Sequence, residues 1–298
     1  MKLVTIAKPG KYTLGVKTER GIIDIEEALR EQAADFPVPQ EVMAVIEGGQ
    51  AAVEALDSYV ASLKSEDASY VHNEANIALG PCVSQPNKII CVGLNYRKHA
   101  EETNAPIPEY PILFNKFNNA LAGHGQDIVI PKVTRRLDYE AELVIVIGKT
   151  TKNVAKEHAL EHVFGYACAN DLSARDLQKR TVQWLLGKSC DGFCPLGPYL
   201  VTADETGDPN TLAIRTIVNG EVRQHSNTSD MIFACDEIVS YVSAHMTLVP
   251  GDIILTGTPE GVVIDMPKER RVYLQPGDEV TIEIEKLGSL TNRFIEEN

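Results

Sequence analysis

From about residue 80 onward the chain is a succession of short β-rich runs separated by Gly, Pro and Asp. Examples are KIICVGLN, AELVIVIGK, VFGYACAND, PYLVTAD and DIILTGTPEG. Runs of this kind, rich in Val and Ile and bounded by turn residues, are typical of strands. They recur roughly every ten residues with few helical stretches between them, whereas a doubly wound sheet needs regular crossover helices. The sequence therefore predicts an α+β, β-rich fold with mixed, largely antiparallel sheets.

The N-terminal part has a different pattern. Residues 1–23 predict two or three short strands, and residues 25–65 have the apolar spacing of helices. The polar stretch KSEDASYVHNEAN, residues 64–76, is the best candidate for a linker. We therefore expect a small α/β N-terminal domain with its linker at residues 1–75 and a catalytic domain at residues 76–298.

Composition excludes several classes of partner. The 42 acidic residues outnumber the 28 basic ones, and the net charge of −14 disfavours binding to nucleic acid or to an anionic membrane. No segment approaches the roughly 18 apolar residues of a membrane span, and the N-terminus lacks the pattern of a signal peptide. The six cysteines are scattered and are expected to be reduced core residues. These features predict a cytoplasmic protein.

One strand candidate carries two carboxylates. Glu140 and Glu142 stand two apart at the start of the apolar run 143–147, so their side chains share one face of a strand. A solvated strand end is one interpretation. If the pair is buried, both groups stay ionised only with compensation, which a hard cation such as Mg²⁺, Mn²⁺ or Ca²⁺ supplies. Asp171, at the end of another predicted strand, is either a third oxygen ligand or the N-cap of a helix that starts at Ser173.

Two further pairs of residues carry potential chemistry. Lys188 and Asp191 lie in LLGKSCDGFCPLGP, whose Gly-Lys-Ser lacks the earlier glycine of a P-loop because residue 182 is Val. This segment is either a surface turn or the source of a lysine that stabilises an oxyanion. His99 and Glu102 are three apart on a short helical stretch. They form either a surface pair or a general base with its orienting carboxylate.

Taken in order, these motifs resemble the fumarylacetoacetate hydrolase superfamily. The matching blocks are G-x-NY-x-x-H-x-x-E, F-x-K, E-x-E, ND-x-SARD-x-Q, GKS-x-D-x-F-x-PLGP and PGDII-x-TGTP-x-GV, spread over roughly residues 85–290. The chain is most similar in appearance to the bacterial and mitochondrial branch of acylpyruvases, oxaloacetate decarboxylases and related 2-oxo acid enzymes. The resemblance implies a mixed β-sheet roll of the family's C-terminal type, with a small N-terminal domain, and assembly as a homodimer.

The resemblance also implies roles for individual residues. The implied ligands of Mg²⁺ or Mn²⁺ are Glu140, Glu142 and Asp171. The implied catalytic residues are His99 and Glu102, a dyad on a lid segment, and Lys188, which faces the oxygens of the substrate. The implied substrate-binding residues are Gln178, Thr258 and Arg175, while Asp191, like Arg175, would support the site from behind.

The implied reaction is divalent-metal-dependent cleavage of a C–C bond in a small 2-oxo acid through an enolate, as in an oxaloacetate decarboxylase or an acylpyruvate hydrolase. An isomerase or hydratase of an unsaturated 2-oxo acid and a non-catalytic metal-binding protein are the alternatives. Two departures from the family pattern bear on the substrate. The proline that often follows the lysine at position 116 is absent, and Val182 replaces an aromatic residue of the eukaryotic hydrolase, which weakens the case for fumarylacetoacetate itself.

Overall fold

The computed structural model describes residues 1–63 and 68–297. The strands are β1 (Lys2–Lys8), β2 (Lys11–Thr18), β3 (Gly21–Asp24), β4 (Val71–His72), β5 (Ile89–Gly93), β6 (Ile112–Lys116), β7 (Leu121–Ala122), β8 (Ile128–Ile130), β9 (Leu137–Asp138), β10 (Ala141–Ile147), β11 (Val163–Asn170), β12 (Ser173–Ala174), β13 (Cys194–Thr202), β14 (Ala213–Val218), β15 (Glu221–Asn227), β16 (Ile253–Leu255), β17 (Glu279–Ile284) and β18 (Gly288–Glu296). The α-helices are α1 (Ile25–Glu31), α2 (Val42–Ser62), α3 (Arg97–Glu102), α4 (Arg175–Gln178), α5 (Leu185–Lys188), α6 (Ala203–Thr206) and α7 (Cys235–His245). Short 3-10 helices lie at Glu74–Asn76, Asn118–Ala120, Lys156–His162, Pro209–Thr211, Thr228–Asp230, Val263–Asp265 and Lys268–Arg270.

Most of the strands belong to two mixed sheets. The larger sheet has the order β4-β3-β2-β1-β13-β11-β10-β16-β5-β6, with β7 attached to β13, and the smaller has the order β15-β14-β17-β18-β8. Three pairs are parallel, namely β5 with β16, β7 with β13 and β8 with β18; the other named pairs are antiparallel. The prediction of an α+β, β-rich fold with mixed sheets is confirmed.

The N-terminal strands continue the larger sheet. Strand β1 pairs with β13, with Lys2 opposite Val201, so one sheet runs through both predicted domains. The linker predicted at 64–76 falls partly on residues 64–67, which lie outside the described residues; the rest of it contains β4, which pairs with β3, and the 3-10 helix Glu74–Asn76. The domain boundary after residue 75 stays a prediction.

Strand β10 and its neighbours position the candidate site residues. All seven of its residues are buried, because it lies between β11 and β16 in the larger sheet. It is antiparallel to both neighbours, so its start lies beside the ends of β11 and β16, and β5 is parallel to β16. The segments that carry Glu140, Asp171, Thr258 and His99 therefore all lie at the same end of these central strands. Within the described part of the chain, no helix has the length and apolar character to cross a lipid bilayer.

Candidate active site

A cluster of three buried carboxylates lies at this end of the central strands. Glu140, Glu142 and Asp171 each offer an oxygen, and these oxygens lie within 4.8 Å of one another. The three residues are 6%, 1% and 0% exposed, so the interpretation of a solvated strand end is wrong. The capping interpretation of Asp171 is also wrong. Ser173 and Ala174 form β12, which pairs with β9, and Ala174 is the N-cap residue of α4.

Two of the three carboxylates have cationic partners. The Nζ of Lys188 donates to Glu140 Oε2 at 2.7 Å and to Asp171 Oδ2 at 2.6 Å, so Lys188 is buried among ligand candidates and not on a surface turn. Arg175 Nη2 lies 2.7 Å from Glu140 Oε1, and Lys116 pairs with the other oxygen of Asp171. Burial raises the pKa of Glu140, but the charges of Lys188 and Arg175 outweigh it and lower the pKa to about 2.

Glu142 has no such partner. Its Oε2 accepts the Gly257 N–H at 2.7 Å, and no lysine or arginine within the described ranges pairs with it. Desolvation, followed by the charges of Asp171 and Glu140, raises its pKa well above the ordinary value. A glycine is required at position 257, because φ is 98° there and a Cβ atom would come within 2.7 Å of the Asn95 side chain.

This donor set fits a divalent cation. A buried carboxylate without a cation is costly, and an ion held by the three oxygens would remove that cost. Oxygen-only ligands select hard ions such as Mg²⁺ and Mn²⁺. The assignment of Glu140, Glu142 and Asp171 as ligands stays a prediction.

His99 lies on α3 beside a carboxylate that the sequence analysis did not identify. Its Nδ1 is 3.3 Å from Asp265 Oδ2, in the 3-10 helix Val263–Asp265. Burial lowers the pKa of His99 from its usual value. Glu102, the expected partner, is exposed and accepts the Gly261 N–H at 3.2 Å. One atom from each of His99, Glu102 and Asp265 nevertheless lies within 4.8 Å of the others.

A second buried acid, Asp138, connects this helical turn to the carboxylate cluster. Asp138 accepts the backbone N–H groups of Val263 at 2.9 Å and Ile264 at 3.0 Å. Arg175 donates from Nε to Asp138 at 2.8 Å, while its Nη1 donates to Gln178 Oε1 at 3.0 Å. Arg175 therefore spans Asp138 and Glu140, which explains why it is buried.

Most of the predicted site residues line one cavity of about 290 Å³. Of the sequence-predicted residues, it is lined by His99, Glu140, Glu142, Arg175, Gln178, Lys188 and Thr258. Asp171 lies behind the lining, paired with Lys116 and Lys188. Asp191 is exposed and accepts a hydrogen bond from Asn119 Nδ2 at 2.7 Å, away from the carboxylates. The cavity is completed by the polar Thr103, Lys179 and Asp265 and by Val92, Gly93, Leu94, Ile112, Phe114, Trp184 and Ile264.

Sequence reasoning assigned no role to Lys116, Asp138 or Asp265. Lys116 stands in the quoted F-x-K block, so the signal for it was present. Asp138 and Asp265 had no comparable signal, because each is recognised only by neighbours that are distant in sequence.

Comparisons with known proteins identify a family and several similar proteins. The family model described as fumarylacetoacetate (FAA) hydrolase C-terminal matches residues 88–295. Oxaloacetate tautomerase fahd2, mitochondrial, of Xenopus laevis is 42% identical over 286 residues, which cover 95% of this chain and 86% of the relative. The fumarylacetoacetate hydrolase of Exiguobacterium antarcticum has a TM-score of 0.81 and 36% identity, with full coverage of both chains. Maleylpyruvate hydrolase from Sphingobium sp. SYK-6, solved with manganese(II) and pyruvate, has a TM-score of 0.80 and 32% identity, again with full coverage of both chains.

These comparisons correct one prediction. A cytoplasmic location was expected because the sequence has no signal-peptide pattern and no membrane span. This expectation is wrong, because curated relatives from Xenopus laevis, Bos taurus and Homo sapiens are named as mitochondrial proteins. They support an enzymatic role and a divalent metal, since manganese is present in one similar structure. Assembly as a homodimer stays a prediction.

Proposed function

This chain belongs to the fumarylacetoacetate hydrolase family, and on that premise we propose that it interconverts the enol and keto forms of a small 2-oxo dicarboxylic acid such as oxaloacetate. The observation that carries the proposal is the single cavity that holds both a histidine and the buried carboxylate cluster. Tautomerisation moves one proton between the C2 oxygen and C3. It therefore needs a proton-transferring group beside a site that binds the 2-oxo acid, and the cavity has both.

The size and lining of the cavity favour a small acid. Its volume of about 290 Å³ lies at the lower end of ligand pockets. Phe114 and Trp184 pack edge to face, with ring centroids 5.3 Å apart, and form an apolar wall. Lys188 Nζ lies 4.8 Å from the centroid of the Phe114 ring. This wall restricts water near the reacting carbon, which protects an enol from side reactions.

We assign the metal site to Glu140, Glu142 and Asp171, which would hold Mg²⁺ or Mn²⁺. When bound, the ion supplies Lewis-acid polarisation of the 2-oxo acid. Lys188 keeps its positive charge beside this site, because attraction by Asp171 and Glu140 outweighs burial and raises its pKa. A fixed positive charge stabilises negative charge that develops on the C2 oxygen.

His99 is the group that exchanges the proton at C3. Burial lowers its pKa, so at neutral pH its imidazole is neutral and can accept a proton. In the direction from keto to enol His99 removes a proton from C3 and delivers it to the C2 oxygen, and in the reverse direction it takes the proton from the C2 oxygen and returns it to C3. Gln178 and Thr258, which also line the cavity, are positioned to hold the carboxylate of the substrate.

Lys179 favours a substrate with a second carboxylate. It lines the cavity and lowers the pKa of Asp265 through its charge, yet it forms no ion pair with any carboxylate of the described chain. The other lining cations, Arg175 and Lys188, are already paired with acidic side chains. The distal carboxylate of oxaloacetate would therefore meet Lys179.

C–C bond cleavage is the second candidate. It is favoured by the similar maleylpyruvate hydrolase that was solved with pyruvate, a 2-oxo acid fragment. Decarboxylation or hydrolysis would pass through the same type of enolate but would release a product. Hydrolysis also needs a water molecule, which His99 would activate.

The experiment follows both reactions on one sample of purified protein. Ketonisation of enol-oxaloacetate is followed by the loss of ultraviolet absorbance of the enol, and pyruvate release is followed with a coupled enzyme, each with Mg²⁺ or Mn²⁺ and against the spontaneous rate. We expect accelerated ketonisation without pyruvate release. Pyruvate release from oxaloacetate or acetylpyruvate at a comparable rate would favour the second candidate, and no acceleration of either reaction would contradict both.

The contact with Lys179 has its own test. Lys179→Met should raise KM for oxaloacetate about fivefold while leaving KM for a monocarboxylic 2-oxo acid within about twofold, because a single exposed charge pair is worth ~1 kcal/mol. Arg180→Met, at the exposed neighbouring position, is the matched control. Equal changes for both substrates would contradict the contact.

A further inference from the structure

We propose that Gln224 is a positioning residue for substrate binding, which holds the hydroxyl group of Thr258 so that the hydroxyl hydrogen is left for a carboxylate oxygen of the ligand. Gln224 lies on β15 of the smaller sheet, and Thr258 lines the cavity. The inference rests on the proposed function in one respect only, namely that Thr258 holds the carboxylate of a 2-oxo acid.

The side-chain amide of Gln224 is buried and uses its full hydrogen-bonding capacity. Its Nε2 donates to Thr258 Oγ1 at 2.9 Å and to the carbonyl oxygen of Pro259 at 2.8 Å. Its Oε1 accepts the N–H of Ala141 at 3.0 Å and the hydroxyl of Thr216 at 2.6 Å. A glutamine amide has two hydrogens to donate and two lone pairs on its oxygen, so every position is occupied within the protein.

The orientation of this amide is determined by two partners whose roles cannot change. A backbone N–H only donates, so the atom that faces Ala141 is the amide oxygen. A backbone carbonyl only accepts, so the atom that faces Pro259 is the amide nitrogen. The same nitrogen faces Thr258. Because an amide nitrogen does not accept hydrogen bonds, the hydroxyl of Thr258 can only accept from it.

This arrangement leaves the hydroxyl hydrogen of Thr258 for another acceptor. A threonine hydroxyl has one hydrogen to donate and two lone pairs, and Gln224 occupies one of the lone pairs. Among residues 1–63 and 68–297, no group accepts the hydroxyl hydrogen of Thr258. Since Thr258 is buried and lines the cavity, the remaining acceptor is an atom of a bound ligand. A carboxylate oxygen suits this position, because hydrogen bonds to an ionised acceptor are stronger than those to a neutral one.

Gln224 also sets the position of Thr258 relative to the carboxylate cluster. Ala141, whose N–H it accepts, stands between Glu140 and Glu142 at the start of β10. The same amide thus joins the segment that supplies two carboxylates to the segment that supplies Thr258. A ligand that reaches both segments would meet a hydroxyl held at a fixed distance from the carboxylates, which is what precise substrate placement requires.

Pyruvate binding in the presence of Mn²⁺ tests the proposal without requiring turnover. Trp184 is the only tryptophan of the chain and lines the cavity, so its fluorescence reports binding there, and calorimetric titration gives a second value of Kd. Thr258→Val should raise the Kd of pyruvate about tenfold or more, as expected for a lost hydrogen bond to a charged group. Gln224→Met should raise it about fivefold, because the hydroxyl remains but is no longer held. A Kd for Gln224→Met equal to that of the wild-type protein would overturn the proposal.

A double-mutant cycle separates the positioning of Thr258 from general support of the fold. In a Thr258→Val background, Gln224→Met should change Kd by less than about twofold, because the hydroxyl that Gln224 holds is gone. Additive losses would contradict the proposal. Thr216→Val is the matched control, since it removes another buried hydrogen bond of the same amide and keeps the bond to Thr258. It should lower the free energy of unfolding and leave Kd unchanged, and a rise in Kd equal to that of Gln224→Met would show a merely structural role.

Gln224→Glu decides the question if Gln224→Met does not fold. The carboxylate keeps acceptors for Ala141 and Thr216 but cannot donate to Thr258, whose hydroxyl would then donate to it and turn away from the cavity. The added charge repels pyruvate whether or not the hydroxyl is present. Only the part of the loss that disappears in the Thr258→Val background therefore belongs to the hydroxyl, and the absence of such a part would overturn the proposal.

Kinetics provide the second readout. Because the carboxylate is held before and during proton transfer, Gln224→Met should raise KM for oxaloacetate about fivefold and leave kcat within about twofold. A lower kcat with an unchanged KM would contradict a role in binding. If the wild-type protein binds pyruvate but has no ketonisation activity, the proposed function fails while the comparison of Kd values stands. If the wild-type protein does not bind pyruvate, the inference about Gln224 fails.

Discussion

Among residues 1–63 and 68–297, three groups of side chains place potential metal ligands within 4.8 Å of one another, and two of these groups differ in their charge balance. At the N-terminal end of the larger sheet, Asp24, Glu27 and His72 offer atoms within 4.8 Å of one another, as Glu140, Glu142 and Asp171 do at the centre. We call these the N-terminal cluster and the central cluster.

A lysine occupies the N-terminal cluster. Lys8 Nζ lies 2.7 Å from Asp24 Oδ2 and 3.3 Å from both Glu26 and Glu27, and His72 pairs with Glu27. The acids of the N-terminal cluster are thus paired with basic side chains, and Glu27 is partly exposed to water. No carboxylate is left that needs an added ion.

The central cluster is deeper and remains short of positive charge. Around it, the buried acids Asp138, Glu140, Glu142 and Asp171 face the buried cations Lys116, Arg175 and Lys188. Glu142 is the one of these four acids that has no cationic partner. The comparison teaches that the spacing of oxygens does not by itself indicate a metal site, and that a buried carboxylate without a cation is the further feature that favours one.

The largest expected effect is at Glu142. Glu142→Gln should lower Mn²⁺ affinity and activity at least ~100-fold, because loss of a ligand exceeds the effect of losing a residue that only orients a ligand. Calorimetric titration with Mn²⁺ measures the affinity, and enol-oxaloacetate ketonisation measures the activity. Glu27→Gln is the matched control and should change neither. An equal loss in both variants would remove the distinction between the clusters.

Metal addition should stabilise the folded protein through the central cluster alone. At an Mn²⁺ concentration of 100 times Kd, the free energy of unfolding should rise by about 2.7 kcal/mol. Urea unfolding with Mn²⁺ or with EDTA measures the change. We expect the increase to persist in Glu27→Gln and to disappear in Glu142→Gln, and the reverse result would place the metal at the N-terminal cluster.

Removal of Lys8 should destabilise the protein even when metal is present. Lys8→Met leaves Asp24, whose side chain is 1% exposed, without its cation. We expect a loss of about 2 kcal/mol, less than for a fully buried pair because Lys8 itself is partly exposed. Lys11→Met is the control, since Lys11 is half-exposed and its pair with Glu26 is worth ~0–1 kcal/mol. Equal losses in the two variants would contradict a special role for Lys8.

The smallest effect is the pH dependence of the N-terminal cluster. Burial raises the pKa of Glu27, but its hydrogen bonds with His72 and Lys8 give a net lowering from the ordinary value of 4.5. A carboxylate with a lowered pKa stabilises the fold above the unfolded-state pKa, and this contribution is lost as the pH falls through the folded-state value. The difference in unfolding free energy between wild type and Glu27→Gln should therefore be ~0.2–1 kcal/mol at pH 7 and shrink below pH 4.5. A difference that grows on acidification would contradict this linkage.

Much of the fold and part of the site followed from local patterns. Strand β10 was predictable because residues 143–147 are apolar and mostly β-branched, and the alternation of a strand placed Glu140 and Glu142 on one face. The partner of His99 was not predictable, because the helical spacing to Glu102 is a local signal whereas Asp265 comes from a loop beyond β16.

The sequence by itself determined which segments form strands and which side chains can act as oxygen ligands, cations and a base, since these depend on residue type and short-range periodicity. The tertiary structure decided that Lys8 neutralises one acidic cluster, that Glu142 in the other has no cation, and that Asp265 faces His99. The physical reason is that desolvation and Coulomb energies depend on burial and on distances of a few ångströms. Packing between segments that are far apart in the chain sets both quantities.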